Sequence, residues 1–247
     1  MAQALYNRIG RTYTATRTAD PRIAAAITGA LGDARTVINV GAGAGAYEPA
    51  NLSTVAVEPS GQMIRQRPAG AAPVIQAAAE ALPFPDRTFD VALALLTVHH
   101  WTDWRRGVDE MTRVANRVVA FTFEPGEVGN FWLTAAYFPE IVEADLRRAP
   151  AVTDLARHLG DCKVHRVAIP HDCADGFLAA YWRRPEAYLD SVVRAGISGF
   201  ARLDQDVVTR GVARLTADLA SGIWEQRFGH LRQLDALDVC YRLVVTA

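Results

Sequence analysis

Two features of the sequence are suited to chemistry: a pair of adjacent histidines, and a glycine-rich run followed by an acidic residue. His99 and His100 carry imidazoles, which exchange protons near neutral pH and also bind metal ions. The glycines of residues 41–45 (GAGAG) leave the backbone open to a ligand that a Cβ atom would block. Glu58 ends the next apolar segment, where its carboxylate can accept hydrogen bonds from two ribose hydroxyls. A ribose-containing cofactor is therefore expected beside residues 41–45.

The spacing of these glycines separates two classes of cofactor. Nicotinamide dinucleotides are bound by the pattern GxGxxG, in which a helix N-terminus meets the pyrophosphate. Residues 41–45 follow the pattern GxGxG, and position 46 is Ala46. An NAD(P)-dependent oxidoreductase fits this turn less well and stays a rival assignment. The other alternative is a turn without a ligand, with Glu58 as a solvated strand end.

A metal centre is a second use that the histidines allow. His99, His100, His171, Asp172 and Cys173 all have side chains that ligate metals. None of them belongs to a CxxC pair or to the i, i+4 histidine pair of a helical zinc site. The sequence therefore predicts no metal.

Short apolar segments must bring these residues together. Five of them are typical of buried β-strands, because they are apolar or β-branched and are bounded by glycine, proline or polar residues. Helical segments alternate with them, the first with Asp20 as N-cap and Pro21 at its first position. This alternation predicts an α/β fold with a doubly wound, Rossmann-like parallel sheet. The predicted strands cover residues 36–40, 54–57, 73–76, 89–98 and 117–123.

The alternation gives way to aromatic-rich helical segments in the second half, which predict a helical cap inserted before the end of the sheet. The helical segments cover 131–146 and 185–194, and two late strands are expected at 164–169 and 239–246. We predict a single domain over 1–247, with a cofactor-binding half (1–125), a cap with the substrate-binding segments (126–236) and a last strand (237–247).

Composition and charge argue against several functional classes. The 247 residues contain 26 Lys and Arg against 27 Asp and Glu, so no net charge favours nucleic acid or an anionic membrane. No apolar run approaches the ~18 residues that indicate a membrane-spanning helix. Cys162, Cys173 and Cys240 form no CxxC pair and fit reduced thiols. We expect a cytoplasmic protein without an export signal.

Four stretches together resemble the class I S-adenosylmethionine-dependent methyltransferases. They are VINVGAGAGAYE (37–48), VAVEPS (55–60), AAAEALPFPDRTFDVALALLTVHHW (77–101) and RVVAFTFEP (117–125). Within that superfamily, Glu80 to Asp90 is similar to the E-x-L-P-F-x-D-x-x-F-D stretch of the ubiquinone and menaquinone C-methyltransferases. The resemblance, which covers residues 1–125, implies a seven-stranded sheet with an antiparallel last strand, and S-adenosylmethionine as the cofactor.

The resemblance also implies which residues bind that cofactor. Glu58 would bind the ribose, Met63 would pack on the adenine, and Ala79 with Glu80 would lie near the adenine edge. The family usually has Asp where this chain has Ala78, so the details of adenine recognition are expected to differ. The predicted cofactor contacts are Tyr13, Gly41, Ala42, Gly43, Gly45, Glu58, Pro59, Ser60, Met63, Ala78, Ala79, Glu80, Leu95 and Thr97.

The substrate is expected to be a small apolar or aromatic molecule, because the second half is rich in aromatic side chains. The N-terminal stretch resembles the aromatic helix with which this branch covers its cofactor. There Tyr13 would face the methionine carboxylate or the substrate, unless Tyr6 and Tyr13 are only surface residues of a packed helix. The predicted substrate contacts are Tyr6, Trp101, Trp132, Asp172 and Trp182.

Methyl transfer from a sulfonium is an in-line displacement, which depends on alignment and exclusion of water more than on catalytic groups. Where the acceptor must lose a proton, His100 and His99 are the predicted bases, at the carboxyl end of the fourth strand. Because neighbouring strand residues point to opposite sides, only one is expected to face the pocket, and we favour His100. A histidine that only hydrogen-bonds backbone is the alternative.

Two further assignments stay open. The chain can be a relative that uses S-adenosylmethionine for a non-methylating reaction, or an inactive binding subunit, for which Ala78 is the only hint. We expect a small-molecule substrate, no nucleic-acid or membrane partner, and a monomer or homodimer.

Overall fold

A computed structural model describes residues 16–247 of the chain. The strands are β1 (Thr36–Val40), β2 (Ser53–Val57), β3 (Val74–Ile75), β4 (Phe89–Leu95), β5 (Ala115–Phe123), β6 (Cys162–Arg166), β7 (Ile169–Pro170), β8 (Ala236–Leu237) and β9 (Tyr241–Thr246). The helices are α1 (Pro21–Leu31), α2 (Gly61–Ile64), α3 (Trp104–Val114), α4 (Trp132–Ala136), α5 (Pro139–Leu146), α6 (Val152–Leu159), α7 (Ser191–Ala195), α8 (Gln205–Ala220) and α9 (Ile223–Phe228). Short 3-10 turns cover Val98–His100, Val128–Asn130, Pro185–Leu189, Phe200–Arg202 and Gly229–Gln233.

Seven of these strands form one sheet in the order β3-β2-β1-β4-β5-β9-β6. The strands β1 to β5 pair in parallel, whereas β9 runs antiparallel to both β5 and β6. This confirms the predicted doubly wound sheet with an antiparallel last strand. The strand order reverses at β1, which pairs with β2 on one side and β4 on the other. A crevice for a ligand is expected outside the carboxyl ends of the strands at such a point.

The sheet is covered on both faces, which explains why its central strands are apolar on both sides. Val91 and Leu93 of β4 pack in a cluster with α1 and the aromatic residues of the second half. Ala92 and Ala94 of the same strand face a second cluster that contains residues of α3 and α6. β4 therefore lies buried between two hydrophobic layers.

The predicted start of the first helix is confirmed, and α3 begins in a similar way. Asp20 caps α1, accepting a hydrogen bond from Arg22 N at 3.0 Å, and Pro21 takes the first helical position. Asp103 caps α3 by accepting from Arg105 N and Arg106 N. Each cap satisfies backbone N–H groups that the first helical turn leaves without partners.

The helical cap differs from its prediction in detail. The segment 131–146 forms two helices, α4 and α5, because the chain breaks before Pro139, which opens the second one. The segment 185–194 forms a 3-10 turn and the short helix α7. The longest helix, α8, was not predicted. Among residues 16–247, no helix combines the length and the apolar character needed to cross a membrane.

An ionic network ties the start of the described chain to the second half. Asp175 is fully buried and accepts hydrogen bonds from Arg17 Nε at 2.6 Å and from the Tyr47 hydroxyl at 3.0 Å. At the neighbouring Gly176, a Cβ atom would come within 2.5 Å of the Thr16 carbonyl oxygen. Only glycine therefore lets the segment 16–19 pass this close to the loop.

Candidate active site

A cleft of about 560 Å³ opens at the carboxyl ends of β1, β2 and β4, where the strand order reverses. Its volume lies within the ~300–1,000 Å³ of small-molecule and cofactor sites. Its walls include nearly every residue that the sequence predicts to contact the cofactor. Those residues are Gly41, Ala42, Gly43, Gly45, Glu58, Pro59, Ser60, Met63, Ala78, Ala79, Glu80, Leu95 and Thr97. Their roles as cofactor contacts stay a prediction.

The glycine-rich run forms the floor of the cleft. The N–H groups of Gly41 and Ala42 both donate to Val57 O, at 2.8 and 3.0 Å, which fastens the turn to the end of β2. Gly41 has a φ of 70°, in the left-handed region that favours glycine. A Cβ atom at Gly41 would overlap the Thr97 hydroxyl oxygen. Because Gly41 has no Cβ atom, the backbone of the turn can contact a ligand in the cleft directly.

Glu58 is buried in the wall of the cleft and is held by backbone. One carboxylate oxygen accepts from Gly43 N and the other from Ser60 N, both at 2.8 Å. Burial raises the pKa of Glu58, although these two hydrogen bonds oppose the shift. Each oxygen keeps a lone pair for a ligand hydroxyl, because a carboxylate oxygen accepts more than one hydrogen bond.

One buried polar atom in the cleft lacks a protein partner. Asn39 is 1% exposed and lines the cleft, and its Oδ1 has no hydrogen bond within the described part of the chain. Buried amide oxygens are nearly always paired, so this atom is suited to a ligand donor. The glycine turn, the Glu58 carboxylate and this oxygen together fit a cofactor with polar groups at both ends.

Glu80, which lines the cleft, also forms hydrogen bonds to the backbone that precedes α3. Its carboxylate accepts from Thr102 N at 2.7 Å and from Asp103 N at 3.2 Å. These bonds attach the loop after the two histidines to the segment of Ala78. The predicted adenine edge is therefore connected to the start of α3 by these two hydrogen bonds.

The two histidines lie on the 3-10 turn Val98–His100 and not on β4 itself. The strand ends at Leu95, and Leu96 has a φ of 50°, which turns the chain sharply. Strand alternation does not apply to this turn, yet only one of the two rings lines the cofactor cleft, and it is the predicted His100. His100 lines the cofactor cleft, and both histidines line a second cavity beside it.

The second cavity, here called the histidine chamber, has a volume of about 50 Å³. It shares Arg17, Leu96 and His100 with the cofactor cleft. The remaining walls of the histidine chamber are His99, Phe123, Phe177, Leu178, Gly196, Ile197 and Ser198. Residues from both halves of the chain therefore meet beside the cofactor cleft.

Burial and cationic neighbours keep both imidazoles neutral. Burial, with smaller contributions from Arg202, Arg17 and Arg148, lowers the pKa of His99 to about 3. Burial also lowers the pKa of His100 well below its ordinary value, helped by His99 and the same arginines. A base for an acceptor that must lose a proton needs a pKa nearer to neutrality, so neither ring is well matched to that role.

Three of the predicted substrate contacts lie away from both cavities. Trp132 and Trp182 are core residues of the helical cap, with indole N–H groups that donate to Trp182 O and Ile169 O. Their bulk explains the burial, since aromatic side chains dominate hydrophobic cores. Asp172 is exposed and forms a surface ion pair with Arg22. The predicted substrate role does not fit these three positions.

Trp101 does line the cofactor cleft, as a substrate contact there would require. Tyr6 and Tyr13 lie outside the described residues. No group of three or more His, Cys, Asp or Glu side chains within residues 16–247 is arranged to hold a metal ion.

The sequence prediction missed several residues that line the cleft. Arg17, Asn39 and Tyr47 all contribute to its walls. Asn39 stands two residues before Gly41, at the end of a predicted strand, and this position is a usable signal. Arg17 and Tyr47 gave none, because their placement depends on Asp175, far along the chain.

Comparison with known proteins decides the family. A family model described as a methyltransferase domain matches residues 38–121. A solved structure of a provisionally assigned methyltransferase from an antibiotic biosynthesis pathway of Anabaena variabilis is 35% identical in sequence. The match covers 94% of this chain and 98% of that chain, with a TM-score of 0.87. The chain belongs to the class I S-adenosylmethionine-dependent methyltransferases.

Two further relatives of this methyltransferase are more distant. The uncharacterised methyltransferase YcgJ of Bacillus subtilis is 30% identical over 115 residues, which is 42% of each chain. The alignment thus spans less than half of that relative. The plantazolicin methyltransferase BpumL in complex with S-adenosylhomocysteine is 12% identical, covers 99% of this chain and 92% of its own, and has a TM-score of 0.54. This last likeness concerns the fold alone.

The cofactor of the methyltransferase is S-adenosylmethionine, and the cleft at the carboxyl ends of β1, β2 and β4 fits it. The bare backbone of residues 41–45, the Glu58 carboxylate and the buried Asn39 oxygen offer the polar contacts that its amino-acid and ribose ends need. The apolar side chain of Met63, 1% exposed, offers a surface for a flat ring.

Proposed function

We propose that this enzyme methylates a small molecule whose acceptor atom lies at the junction of the cofactor cleft and the histidine chamber. The observation that carries the proposal is that the two cavities share Arg17, Leu96 and His100. A cofactor in the cleft and a substrate in the chamber would therefore meet at these three side chains. In-line displacement needs this adjacency more than it needs an acid or a base.

Each part of the cleft has a task in this proposal. S-adenosylmethionine supplies a methyl group activated by its sulfonium. The backbone of residues 41–45 binds the methionine part, Glu58 accepts from the ribose hydroxyls, and Met63 with Ala79 packs on the adenine. Leu95 and Thr97 complete the wall, and the junction residues Arg17, Leu96 and His100 are half-buried.

The substrate has an apolar or aromatic body in this proposal. Phe123, Phe177, Leu178 and Ile197 contribute apolar side chains to the walls of the histidine chamber, beside its polar groups, and these side chains support such a body. The likeness to quinone C-methyltransferases rests on residues with structural contacts here: Asp86 pairs with Arg113, and Asp90 accepts from Thr36 N. That likeness therefore carries no argument for methylation on carbon.

Calorimetric titration with S-adenosylhomocysteine tests the cofactor half of the proposal. Glu58→Gln keeps the shape of the side chain and removes the charge that would accept the ribose hydroxyls. We expect the change to weaken binding by about tenfold or more, because a hydrogen bond to a charged group is worth ~1.5–3 kcal/mol. Glu143→Gln, on an exposed side chain of α5, is the control and should leave the affinity unchanged.

Transfer of a labelled methyl group from S-adenosylmethionine to a low-molecular-weight acceptor tests the other half. A folded protein that binds no S-adenosylhomocysteine would overturn the proposal. Turnover of the cofactor without a methylated product would replace it with a non-methylating reaction.

A further inference from the structure

The histidine chamber limits which acceptor the enzyme can methylate, and this inference rests on the proposed function. A hydroxyl, thiol or ammonium acceptor must lose a proton to become a good nucleophile, whereas a carboxylate is already ionised at neutral pH. The walls of the chamber therefore need either a base or a site for an anion. The two histidines and the nearby arginines decide between these possibilities.

His100 is fixed as a hydrogen-bond donor at Nε2. Its Nδ1 lies 2.8 Å from Arg202 Nη2. A guanidinium has only donors, so Nδ1 must be the accepting nitrogen, and the proton of the neutral ring must sit on Nε2. Arg202 thus acts as a positioning residue that holds one tautomer of His100. In that tautomer, Nε2 donates a hydrogen bond and does not remove a proton.

The buried ring of His99 has a nitrogen atom that is available to a ligand. The side chain is 7% exposed, packs at 4.9 Å between ring centroids on Phe123, and lines the histidine chamber. Its Nδ1 has no hydrogen-bond partner among the described residues. A buried polar group without a partner costs free energy, so a ligand that pairs with this ring would be stabilised.

The charges around the histidine chamber favour an anion. Arg17, Arg148 and Arg202 all act on both histidines. Two carboxylates offset them: Asp175 pairs with Arg17, and Asp145 lies 3.6 Å from Arg202. Burial raises the pKa of Asp145 to about 6, while Arg202 and Arg148 oppose the shift. An excess of positive charge is left beside two neutral imidazoles.

We propose that the acceptor is a small carboxylic acid, bound as its carboxylate and methylated on a carboxylate oxygen beside His99 and His100. The net positive charge of Arg17, Arg148 and Arg202 over Asp175 and Asp145 favours the anion, and the ring of His99 donates to the oxygen that does not react. The cavity of about 50 Å³ holds the carboxylate, and the apolar body lies toward the cofactor cleft.

The reaction balances without a base. One carboxylate oxygen forms a bond to the methyl carbon as the bond from that carbon to sulfur breaks, and the electron pair of the broken bond stays on sulfur. The products are a methyl ester and S-adenosylhomocysteine, and no proton is transferred. The absence of proton transfer fits two imidazoles that resist protonation.

Binding of benzoate and benzamide to the protein saturated with S-adenosylhomocysteine tests this proposal. The two probes have nearly the same shape and differ in charge, and the saturating nucleoside excludes binding of either probe at the position of the cofactor. We expect calorimetry to give an affinity for benzoate at least tenfold above that for benzamide. His99→Phe should lower the benzoate affinity by about tenfold, as expected for one hydrogen bond to a charged group.

His99→Phe also separates a binding role from a structural one. Removal of an unpartnered polar ring should leave the thermal stability of the free protein unchanged or raised, and the affinity for S-adenosylhomocysteine unchanged. Arg147→Gln, on an exposed side chain near Arg148, is the control and should alter neither affinity. Equal binding of the two probes, binding of neither, or a benzoate affinity that His99→Phe leaves intact would overturn the proposal.

The methylated atom gives a second readout. A tritiated methyl ester releases volatile methanol in mild alkali, whereas a methyl ether or a methylamine does not. Base-labile label on a carboxylic acid supports the proposal, and base-stable label on a phenol or an aniline overturns it. A protein that fails to bind S-adenosylhomocysteine would instead be a failure of the proposed function.

Discussion

The cofactor cleft and the histidine chamber are neighbouring cavities that are built in different ways. The cleft is made largely from short segments that end successive strands, and its polar groups are held by nearby backbone, as Glu58 is by Gly43 and Ser60. The chamber is made from side chains that are distant in sequence, such as Arg17, Phe123 and Phe177. The cofactor cleft therefore depends on local geometry, whereas the histidine chamber depends on long-range ion pairs and packing.

The largest effect that would test this difference is expected at Asp175. Asp175→Asn removes the buried charge that faces Arg17 and should destabilise the protein by about 3 to 5 kcal/mol, since the guanidinium loses the carboxylate that balances its charge. Asp172→Asn, in the exposed pair with Arg22, is the matched control and should cost at most about 1 kcal/mol. Urea unfolding measures both. Equal losses would mean that the long-range pair does not support the chamber.

The next effect concerns the local geometry of the cleft. Gly41→Ala combines a φ of 70° with an overlap at Thr97 and should destabilise the protein by about 2 to 4 kcal/mol. At Gly70, φ is 89° but a Cβ atom would meet nothing within 4 Å, so Gly70→Ala should cost only the backbone strain of about 1 to 2 kcal/mol. The difference in unfolding free energy isolates the overlap, and identical costs would remove the argument for a tightly shaped turn.

The smallest of the three effects is a pH dependence set by the chamber. The pKa of His99 is about 3 in the folded protein against 6.5 as its ordinary value, so acid favours the unfolded state. This contribution to stability is complete above pH 6.5 and is lost as the pH falls toward 3. His99→Phe should therefore reduce the slope of the unfolding free energy against pH in this range by up to about 1.4 kcal/mol per pH unit.

Unfolding curves at pH 7, 6 and 5 test this expectation, with the exposed His165→Gln as the control for loss of a surface imidazole. An unchanged slope in His99→Phe would mean that the ring is solvated, and burial in the chamber would then not be what lowers the pKa of His99.

The fold and the cleft were largely predictable from the sequence because both depend on local patterns. The strand 36–40 was predicted to the residue, and Asp20 was recognised as a cap, since each signal lies within a few residues of its effect. The glycine run and Glu58 follow their strands directly. Their meeting in one cleft follows from the parallel sheet.

The chamber was not predictable for the same physical reason. The left-handed turn at Leu96, which ends β4 early, is uncommon for a leucine and has no sequence signal. Trp132 and Trp182 were expected at the substrate, because an aromatic residue in a core and one in a pocket have the same composition. Only their hydrogen bonds to backbone carbonyls distinguish the two cases.

The passage of Thr16 beside Gly176 has a consequence for how the chain is made. The contact partners Arg17 and Asp175 are 158 residues apart, so the N-terminal segment cannot take its place until the second half has been synthesised. At ~5–20 residues per second, a ribosome needs roughly 10 to 30 seconds to deliver that partner. During this interval the nascent chain can form β1 and β2 while the wall at Arg17 is missing. Completion of the cofactor cleft therefore waits for the synthesis of Asp175, and a chain that ends before Asp175 should not retain S-adenosylhomocysteine.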